Sequence, residues 1–441
     1  MNAAKLRGAK LTGNRLRRSY GVLSLVACSL LIAPVASAAV VAIENAKVAT
    51  ASDAGIIVDG ALHVRDGVIT WVGPSAQAPA LSPDAERIDV QGHWVTPGLI
   101  ESHTQLGLVE INAEASSSDV RVEEFSMGPG FDVRYAFNPA SVLLPITRAA
   151  GVTSAVVAPS AGNDPLAGVG VAISLRETLD TNESLIAADL ALFGGMGSRS
   201  ARFVGGSRSA LMVRLRSALA NAKRFSAARY VAEEGGYTAS DLAALKRWLG
   251  SGAPLALSVN QASHILQAIK LAQDFKFPLI IVSGAEAWKV APQLAAADVP
   301  VVLDAMANIP IDFDALGARL ENAALLHKAG VRIALTSENT HNAGWIRQGG
   351  GVAVANGLPF SAALDAITSG PAKIWGLTDR GELARGKVAD LVVWSGDPLE
   401  VTTHAERVMI DGNWTSLETR QSRLLERYRD LSNKVTPYGY R

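Results

Sequence analysis

The spacing of hydrophobic and polar residues changes twice along the 441-residue chain. From residue 40 to residue 95, short apolar stretches alternate with turn residues such as Gly60, Asp66-Gly67 and Gly92. Short runs bounded by glycine and aspartate are typical of antiparallel strands joined by tight turns. The segments GELARGKVADLVVWSG and ERVMIDGNW near the other end have the same character. We therefore predict that the two ends of the chain pair into one small β-sandwich.

Between these ends, short buried strands alternate with amphipathic helices. Five runs predict strands: GVTSAVVAPS, PLALSV, PLIIVSG, VPVVLDA and VRIALTS. Stretches with helical periodicity separate them, as in SHILQAIKLAQDF and LENAALLHKAG. Because parallel strands need long crossover connections, this order predicts βαβ units that close into a TIM-like (β/α)8 barrel of the α/β class.

The predicted domain organisation has five parts. They are a signal peptide (1–38), the first part of the β-sandwich (40–96), the barrel (97–378), the second part of the sandwich (379–415) and a C-terminal helix with its tail (416–441). Within the barrel, the segment 193–240 contains GGMGSRSARFVGGSRS and is predicted to be a loop followed by a helix.

Residues 1–38 have the pattern of a secretory signal. They hold six cations and no acid, then the apolar run GVLSLVACSLLIAPV, then Ala36-Ser37-Ala38 before the predicted cleavage point. This predicts a periplasmic or secreted protein, and the apolar run is too short to predict a transmembrane anchor in the mature form. Two alternatives stay open, namely lipoprotein processing at Cys28 and export through a twin-arginine signal around Arg17-Arg18.

The charge balance and the cysteine content argue against some kinds of binding partner and some catalytic mechanisms. Residues 39–441 carry 35 basic and 41 acidic residues, a formal net charge of −6, which gives no reason to expect nucleic acid or an anionic membrane as partner. Cys28 is the only cysteine, so the mature chain is predicted to have neither disulfides nor thiolate catalysis.

Three stretches carry a resemblance to a known family. They are VQGHWVTPGLIESHTQLGL, GVTSAVVAPSAGNDPLAGVG and ITSGPAKIWGLTDRGELARGKVADLVVWSGDPL. The sequence resembles the amidohydrolase superfamily, particularly its imidazolonepropionase-like branch. The resemblance implies a barrel whose strand ends hold one or two metal ions that activate water against a C–N bond. Zinc serves this purpose because it lowers the pKa of bound water to ~7.

The family's metal ligands are two His on the first strand, a bridging Lys or Glu, one His on each of the fifth and sixth strands, and an Asp after the eighth. The corresponding positions of this chain hold His103, Gln105, Asn260, Ser283 and Glu338. No lysine lies between residues 47 and 223, which argues against a bridging lysine. The resemblance therefore implies a metal site that has lost most of its ligands.

His103 and Glu338 are the predicted catalytic residues and the tentative ligands of a single zinc ion, and a metal-free site is weighed equally. The predicted substrate-binding residues are Gln105, Asn163, Asn260, Ser283 and His341. Asn163 belongs to a retained loop with Gly162, Pro165 and Gly168, which also suit plain turns. His341 either reaches the site from its loop or is an ordinary loop histidine.

Two hypotheses of function follow. In the first, the protein is an exported hydrolase of C–N bonds in a small amide, cyclic amide or dipeptide-type substrate. In the second, it is a catalytically silent family member that binds a partner, as a homo-oligomer or paired with an active relative.

Overall fold

The structure is a computed structural model and describes residues 40–123, 127–232 and 235–429. The predicted signal peptide, Cys28 and the last residues of the predicted C-terminal tail lie outside these ranges. No helix in the described ranges is long and apolar enough to cross a membrane.

The first elements that the structure describes form a β-sheet. Its first strands are β1 (Val40–Ala49), β2 (Ile56–Arg65), β3 (Val68–Pro74), β4 (Glu86–Asp89) and β5 (Trp94–Pro97). β1, β2 and β3 form an antiparallel meander, and β4 and β5 pair parallel to β1. Asp66 and Gly67 both have positive φ between β2 and β3, as a two-residue hairpin turn requires.

A second sheet curves into the barrel. Its strands are β6 (Leu99–Thr104), β7 (Val152–Val157), β8 (Leu166–Ser174), β9 (Leu185–Gly195), β10 (Leu255–Val259), β11 (Leu279–Ser283), β12 (Val301–Leu303) and β13 (Ile333–Leu335). Each strand pairs with the next one along the chain. Between β13 and β6 the ring is bridged by backbone hydrogen bonds from Leu335 to Ala366 (2.7 Å) and from Ile100 to Ile367 (2.9 Å).

One strand departs from the predicted all-parallel barrel. β8 runs antiparallel to both β7 and β9, whereas the other neighbouring pairs of this sheet are parallel. The residues between β7 and β8 are too few for a parallel crossover, so a hairpin forms there.

Helices precede or follow the strands of the barrel, and a further exposed helix follows the last strand of the first sheet. They are α1 (Leu143–Ala149), α2 (Thr181–Ser184), α3 (Ser198–Ala201), α4 (Arg208–Arg224), α5 (Ala239–Ser251), α6 (Ala262–Phe275), α7 (Ala291–Ala296), α8 (Asn322–Lys328), α9 (Ile346–Ala355), α10 (Phe360–Asp365), α11 (Ser369–Trp375) and, near the end of the chain, α12 (Arg420–Arg429). In α6, the residues Ile265, Ala268, Ile269 and Ala272 are buried at helical spacing, which explains its orientation against the strands. The segment predicted as loop followed by helix contains the end of β9, α3 and α4.

The chain returns to the first sheet after the barrel. β14 (Leu391–Trp394), β15 (Ala405–Ile410) and β16 (Asn413–Trp414) extend it, and β14 pairs antiparallel with β5. Both ends of the chain therefore build one sheet beside the barrel, as the repeated turn pattern predicts.

Successive side chains of each barrel strand point to opposite faces of the sheet, so the apolar residues form two separate layers. Ile280 and Val282 of β11 pack inside the barrel with Trp375, whereas Ile281 packs in the layer between strands and helices. The interior of the barrel is thus packed with apolar side chains.

Candidate functional site at the carboxyl ends of the barrel strands

A cavity of about 1140 Å³ lies at the carboxyl ends of the barrel strands. Six predicted site residues line it: His103, Gln105, Asn163, Asn260, Ser283 and Glu338. His341 is not among the lining residues, and its Nε2 lies 3.1 Å from the backbone oxygen of Glu110. The fold thus brings together side chains that are far apart in sequence, at the end of the barrel where (β/α)8 enzymes carry their chemistry.

Ser283 and Glu338 form the closest polar pair in this set. The Ser283 hydroxyl donates a 2.5 Å hydrogen bond to Glu338 Oε1. Ser283 has φ 68° and Glu338 has φ 47°, both in the left-handed region. For residues with a Cβ this conformation costs roughly 1–2 kcal/mol each, and such strain concentrates at functional sites.

The turn after Ser283 is held by asparagines. Asn260, directly after β10, accepts the Ala285 N–H through its side-chain oxygen (3.1 Å) and the Glu286 N–H through its backbone oxygen (2.9 Å). The side-chain amide of Asn322 donates to the Gly284 oxygen (3.0 Å). Asn260 therefore supports the turn that presents Ser283, although it also lines the cavity.

His103 lies in β6 with its ring packed near Phe193, at 6.0 Å between ring centroids. Burial lowers the pKa of His103, and the negative charge of Glu338 opposes this effect. The imidazole is therefore neutral at neutral pH, with one nitrogen able to donate and one able to accept. In the described part of the chain, the hydrogen bonds of His103 involve only its backbone groups.

Asp304 is a further residue of the site that is not among the candidates predicted from the sequence. It follows β12 directly and lines the cavity with Glu338. Burial raises the pKa of Asp304 to about 6, the negative charge of Glu338 acts in the same direction, and a hydrogen bond from the Met306 N–H (2.8 Å) opposes the rise. Its position as the first polar residue after a barrel strand was an available sequence signal, because catalytic groups occupy such positions.

Glu101 supports the site from behind. Its fully buried carboxyl accepts hydrogen bonds from the Thr336 hydroxyl (2.5 Å) and the Ser337 N–H (3.1 Å). Thr336 in turn accepts the Glu338 N–H (3.2 Å). Burial raises the pKa of Glu101 to about 7. This network ties β6 to the segment after β13 and so fixes the backbone of Glu338.

The side chains present do not fit the superfamily's metal centre. Among residues 40–123, 127–232 and 235–429, no three His, Cys, Asp or Glu side chains lie close enough to hold one ion. Gln105 stands at the second first-strand position and donates its amide to Ser160. A ligating histidine is normally oriented by a partner on its other ring nitrogen, and no described group supplies one to His103.

Part of the sequence and the whole fold are similar to known proteins. Residues 319–415 match the profile of the family described as "Amidohydrolase family". A stretch of 68 residues is 48% identical to imidazolonepropionase of Mesorhizobium japonicum, and it covers 14% of this chain and 17% of that protein. The match thus spans about a sixth of the curated relative.

Solved structures extend the likeness over most of the chain. An amidohydrolase from Thermotoga maritima MSB8 matches with a TM-score of 0.77 and 27% identity, over 85% of this chain and 99% of that chain. An adenosine deaminase from Xanthomonas campestris with bound zinc matches with a TM-score of 0.54 and 16% identity over 88% of this chain and 97% of its own, a likeness of fold alone. The chain belongs to the amidohydrolase superfamily.

Proposed function

We propose that this protein hydrolyses C–N bonds in small amides, cyclic amides or dipeptide-type substrates, using side-chain carboxyl groups in place of the superfamily's metal centre. One observation carries the proposal. Glu338, Asp304 and His103 project from three different strand ends into one cavity, and Glu338 is held there in a strained conformation. Titratable side chains from distant parts of the sequence that line one cavity are typical of a catalytic site, and a purely structural role does not require them to share a cavity.

The three groups have complementary roles in amide hydrolysis. Glu338 accepts a proton from the attacking water molecule, which makes the water oxygen a better nucleophile. Neutral His103 donates a ring N–H to the oxyanion that forms on the substrate carbonyl. Asp304, whose pKa is raised to about 6, holds a proton in mildly acidic solution and delivers it to the leaving nitrogen.

Turnover of a panel of cyclic amides, N-acyl amino acids and dipeptides tests this proposal. We expect wild-type protein to release amine from at least one of them, and Glu338→Gln, Asp304→Asn and His103→Ala each to lower kcat by roughly 100-fold or more. Glu86→Gln on the exposed edge of β4 and His327→Ala on α8 are matched controls that keep wild-type activity. Turnover that survives Glu338→Gln unchanged would contradict the assigned role.

Metal content gives an independent test. After exposure to zinc and desalting, we expect plasma mass spectrometry to find far less than one zinc per chain, and activity to persist in a chelator. One tightly held zinc that disappears in His103→Ala would instead support the single-metal site implied by the family resemblance. That result would replace the carboxyl mechanism by one of the superfamily's own type.

A second candidate is a silent binding subunit of an active relative. It is favoured by the hydrogen bonds that draw Gln105 and Asn260 into the wall of the cavity. If this candidate is right, His103→Ala and Glu338→Gln leave the biological role intact, and affinity purification from native cells recovers a relative with a complete set of metal ligands. Amide turnover by the isolated chain that is lost in Glu338→Gln rejects it.

We also propose that the protein is exported, on the strength of residues 1–38. The expected mature N-terminus is Ala39, in a periplasmic or culture fraction. Mass spectrometry of the native N-terminus tests this expectation. A chain that keeps Met1, or one that begins at a lipid-modified Cys28, would contradict it in two distinguishable ways.

A further inference from the structure

The hydroxyl of Ser283 has the surroundings of a nucleophile. It lines the cavity and donates its hydrogen bond to Glu338 at 2.5 Å, the reach at which a carboxylate acts as base toward a hydroxyl group. Asp304 lines the same cavity and adds a second carboxyl group near Glu338. A serine, its base and a further acid thus line the same cavity.

The backbone directs this hydroxyl into the cavity. Ile280 and Val282 face the barrel interior and Ile281 faces the helices, so strict alternation would turn the next side chain outward with Ile281. The left-handed φ of 68° at Ser283 interrupts the alternation, and its side chain lines the cavity instead. A strained turn at a strand end that exposes a serine hydroxyl is also how the nucleophile is presented in α/β-hydrolases, on a different fold.

Hydrogen bonds from neighbouring elements hold the turn after Ser283. Asn260 accepts two N–H groups of the turn, and Asn322 donates to the Gly284 oxygen from a nearly buried side chain. Glu286, at the end of the turn, accepts the Ala262 N–H (3.1 Å) and is paired with Lys289 (2.6 Å). Strained backbone persists where the surrounding structure determines it in this way.

We propose that Ser283 is a covalent nucleophile that forms an acyl-enzyme with small esters and amides, and that Glu338 is its base. The inference deepens the proposed function and rests on it for the identity of the C–N substrate. It replaces direct attack by water with two successive steps.

In the first step, a bond forms between Ser283 Oγ and the substrate carbonyl carbon while the hydroxyl proton passes to Glu338. The C–N or C–O bond then breaks, and the leaving nitrogen or oxygen takes a proton from Asp304. In the second step, water adds to the acyl carbon and gives a proton to Asp304, the bond to Oγ breaks, and the proton held by Glu338 returns to Ser283. The products are the acid and the amine or alcohol, so atoms and protons balance.

The test is covalent labelling of purified full-length mature protein with phenylmethanesulfonyl fluoride. Attack by Oγ forms an O–S bond, fluoride leaves, and the proton goes to Glu338. We expect intact mass spectrometry to show one sulfonyl group per chain and peptide mapping to place it on Ser283. Glu338→Gln should slow the labelling at least 100-fold.

Two substitutions at Ser283 separate loss of the nucleophile from loss of the fold. Ser283→Gly removes the hydroxyl and adopts the left-handed backbone without strain, so it folds and is not labelled. Ser283→Ala is also unlabelled. Ser217→Ala, on the exposed side of α4, is the matched control and is labelled as fast as wild type. Circular dichroism confirms that each variant is folded.

Labelling that is absent from wild type, or that persists in Ser283→Gly, overturns the proposal. A burst of one p-nitrophenolate per chain from p-nitrophenyl acetate, lost in Ser283→Gly, supports it further. Labelled Ser283 in a protein that hydrolyses no amide would retain the nucleophile and reject the C–N substrate. Amide hydrolysis with an undiminished kcat in Ser283→Gly would support the C–N substrate and reject Ser283 as the nucleophile.

Discussion

At the scale of single residues, the site depends on backbone angles that most side chains avoid. Ser283 and Glu338 both have positive φ and face each other through one hydrogen bond. Neither residue is glycine, although glycine would remove the steric cost of the left-handed region. We infer that the side chains are retained for what they do in the cavity, at the expense of stability.

A matched pair of variants measures this strain. Ser283→Gly and Ser283→Ala both delete the hydroxyl and its hydrogen bond, so their difference isolates the backbone at φ 68°. We expect the glycine variant to have a free energy of unfolding about 1 kcal/mol higher than the alanine variant, after the greater freedom of glycine in the unfolded chain is included. Denaturant titration of the two proteins gives the difference, and an alanine variant as stable as the glycine variant would show that the turn is relaxed.

Glu101 predicts a pH dependence of stability. Its ordinary pKa is 4.5 and burial raises it to about 7 in the folded protein. The folded state therefore binds more protons between these pH values, and the free energy of unfolding falls as the pH rises through this window. Glu101→Gln removes this titration. Between pH 4.5 and 7 the free energy of unfolding of wild type should therefore fall by about 3 kcal/mol more than that of Glu101→Gln, at ~1.4 kcal/mol per pKa unit.

Urea titrations across this pH range check the effect. Glu86→Gln is the matched control, because Glu86 is exposed on β4. A wild-type protein whose stability changes with pH no differently from that of Glu101→Gln would mean that the hydrogen bonds from Thr336 and Ser337 compensate for burial of the charge.

At the scale of elements, the turn after β11 determines how the cavity is lined. Asn260 holds it from the neighbouring strand, and Asn322 holds it from the start of α8. The sequence pattern predicts β10, β11 and the helices around them, because these elements are built from local periodicity. It does not predict that Asn260 binds the turn, because that contact joins two loops.

Removal of this support should affect stability and chemistry together. Asn260→Ala leaves the Ala285 N–H without its acceptor, which we expect to cost about 1–3 kcal/mol. Labelling of Ser283 should also slow, because the hydroxyl loses its fixed position. Asn221→Ala on the exposed side of α4 is the control for both measurements. An Asn260→Ala protein with wild-type stability and labelling rate would show that the turn is self-supporting.

β8 shows a different limit of local pattern. Its residues are apolar enough to predict buried structure, but the resemblance suggested a loop around residues 162–168, and the structure has an antiparallel strand from Leu166 to Ser174. The apolar content of a segment does not indicate whether its strand runs parallel or antiparallel to its neighbours. Direction follows from the short connection to β7 and from pairing with β9.

At the scale of the whole molecule, a buried ionic network joins the sheet to the barrel. Arg380 pairs with Asp390 next to β14 (3.0 Å) and reaches Ser154 of β7 (3.4 Å). Asp411, in the turn after β15, accepts a hydrogen bond from Ser174 of β8 (2.7 Å). These contacts fix the two chain ends against the barrel.

We expect Arg380→Met to lower the free energy of unfolding by about 3–5 kcal/mol, because Asp390 would be buried without its counter-charge. The double variant Arg380→Met with Asp390→Asn should cost less than the sum of its parts, since it removes the unpaired charge. Denaturant titration of both, with Arg385→Met at an exposed position as control, measures the coupling. Additive effects would contradict a coupled pair.

The sequence by itself determines most of the strands and helices, the use of both chain ends in one sheet, and membership of the family. These properties follow from periodicity and short motifs, which lie within single segments. It also supplies His103 and Glu338 as candidates, because the family resemblance places them at positions that hold metal ligands in the superfamily.

Only the tertiary structure brings Glu101 under the site, pairs Ser283 with Glu338, and places His341 outside the cavity. The physical reason is that these relations depend on strand order, on backbone angles at strand ends and on burial. Each of these is set by residues distant in sequence: Asn260 holds the Ser283 turn, and Glu101 holds the segment that carries Glu338. The local sequence pattern predicts where the strands end. Which side chains at those ends come into contact depends on the closed barrel.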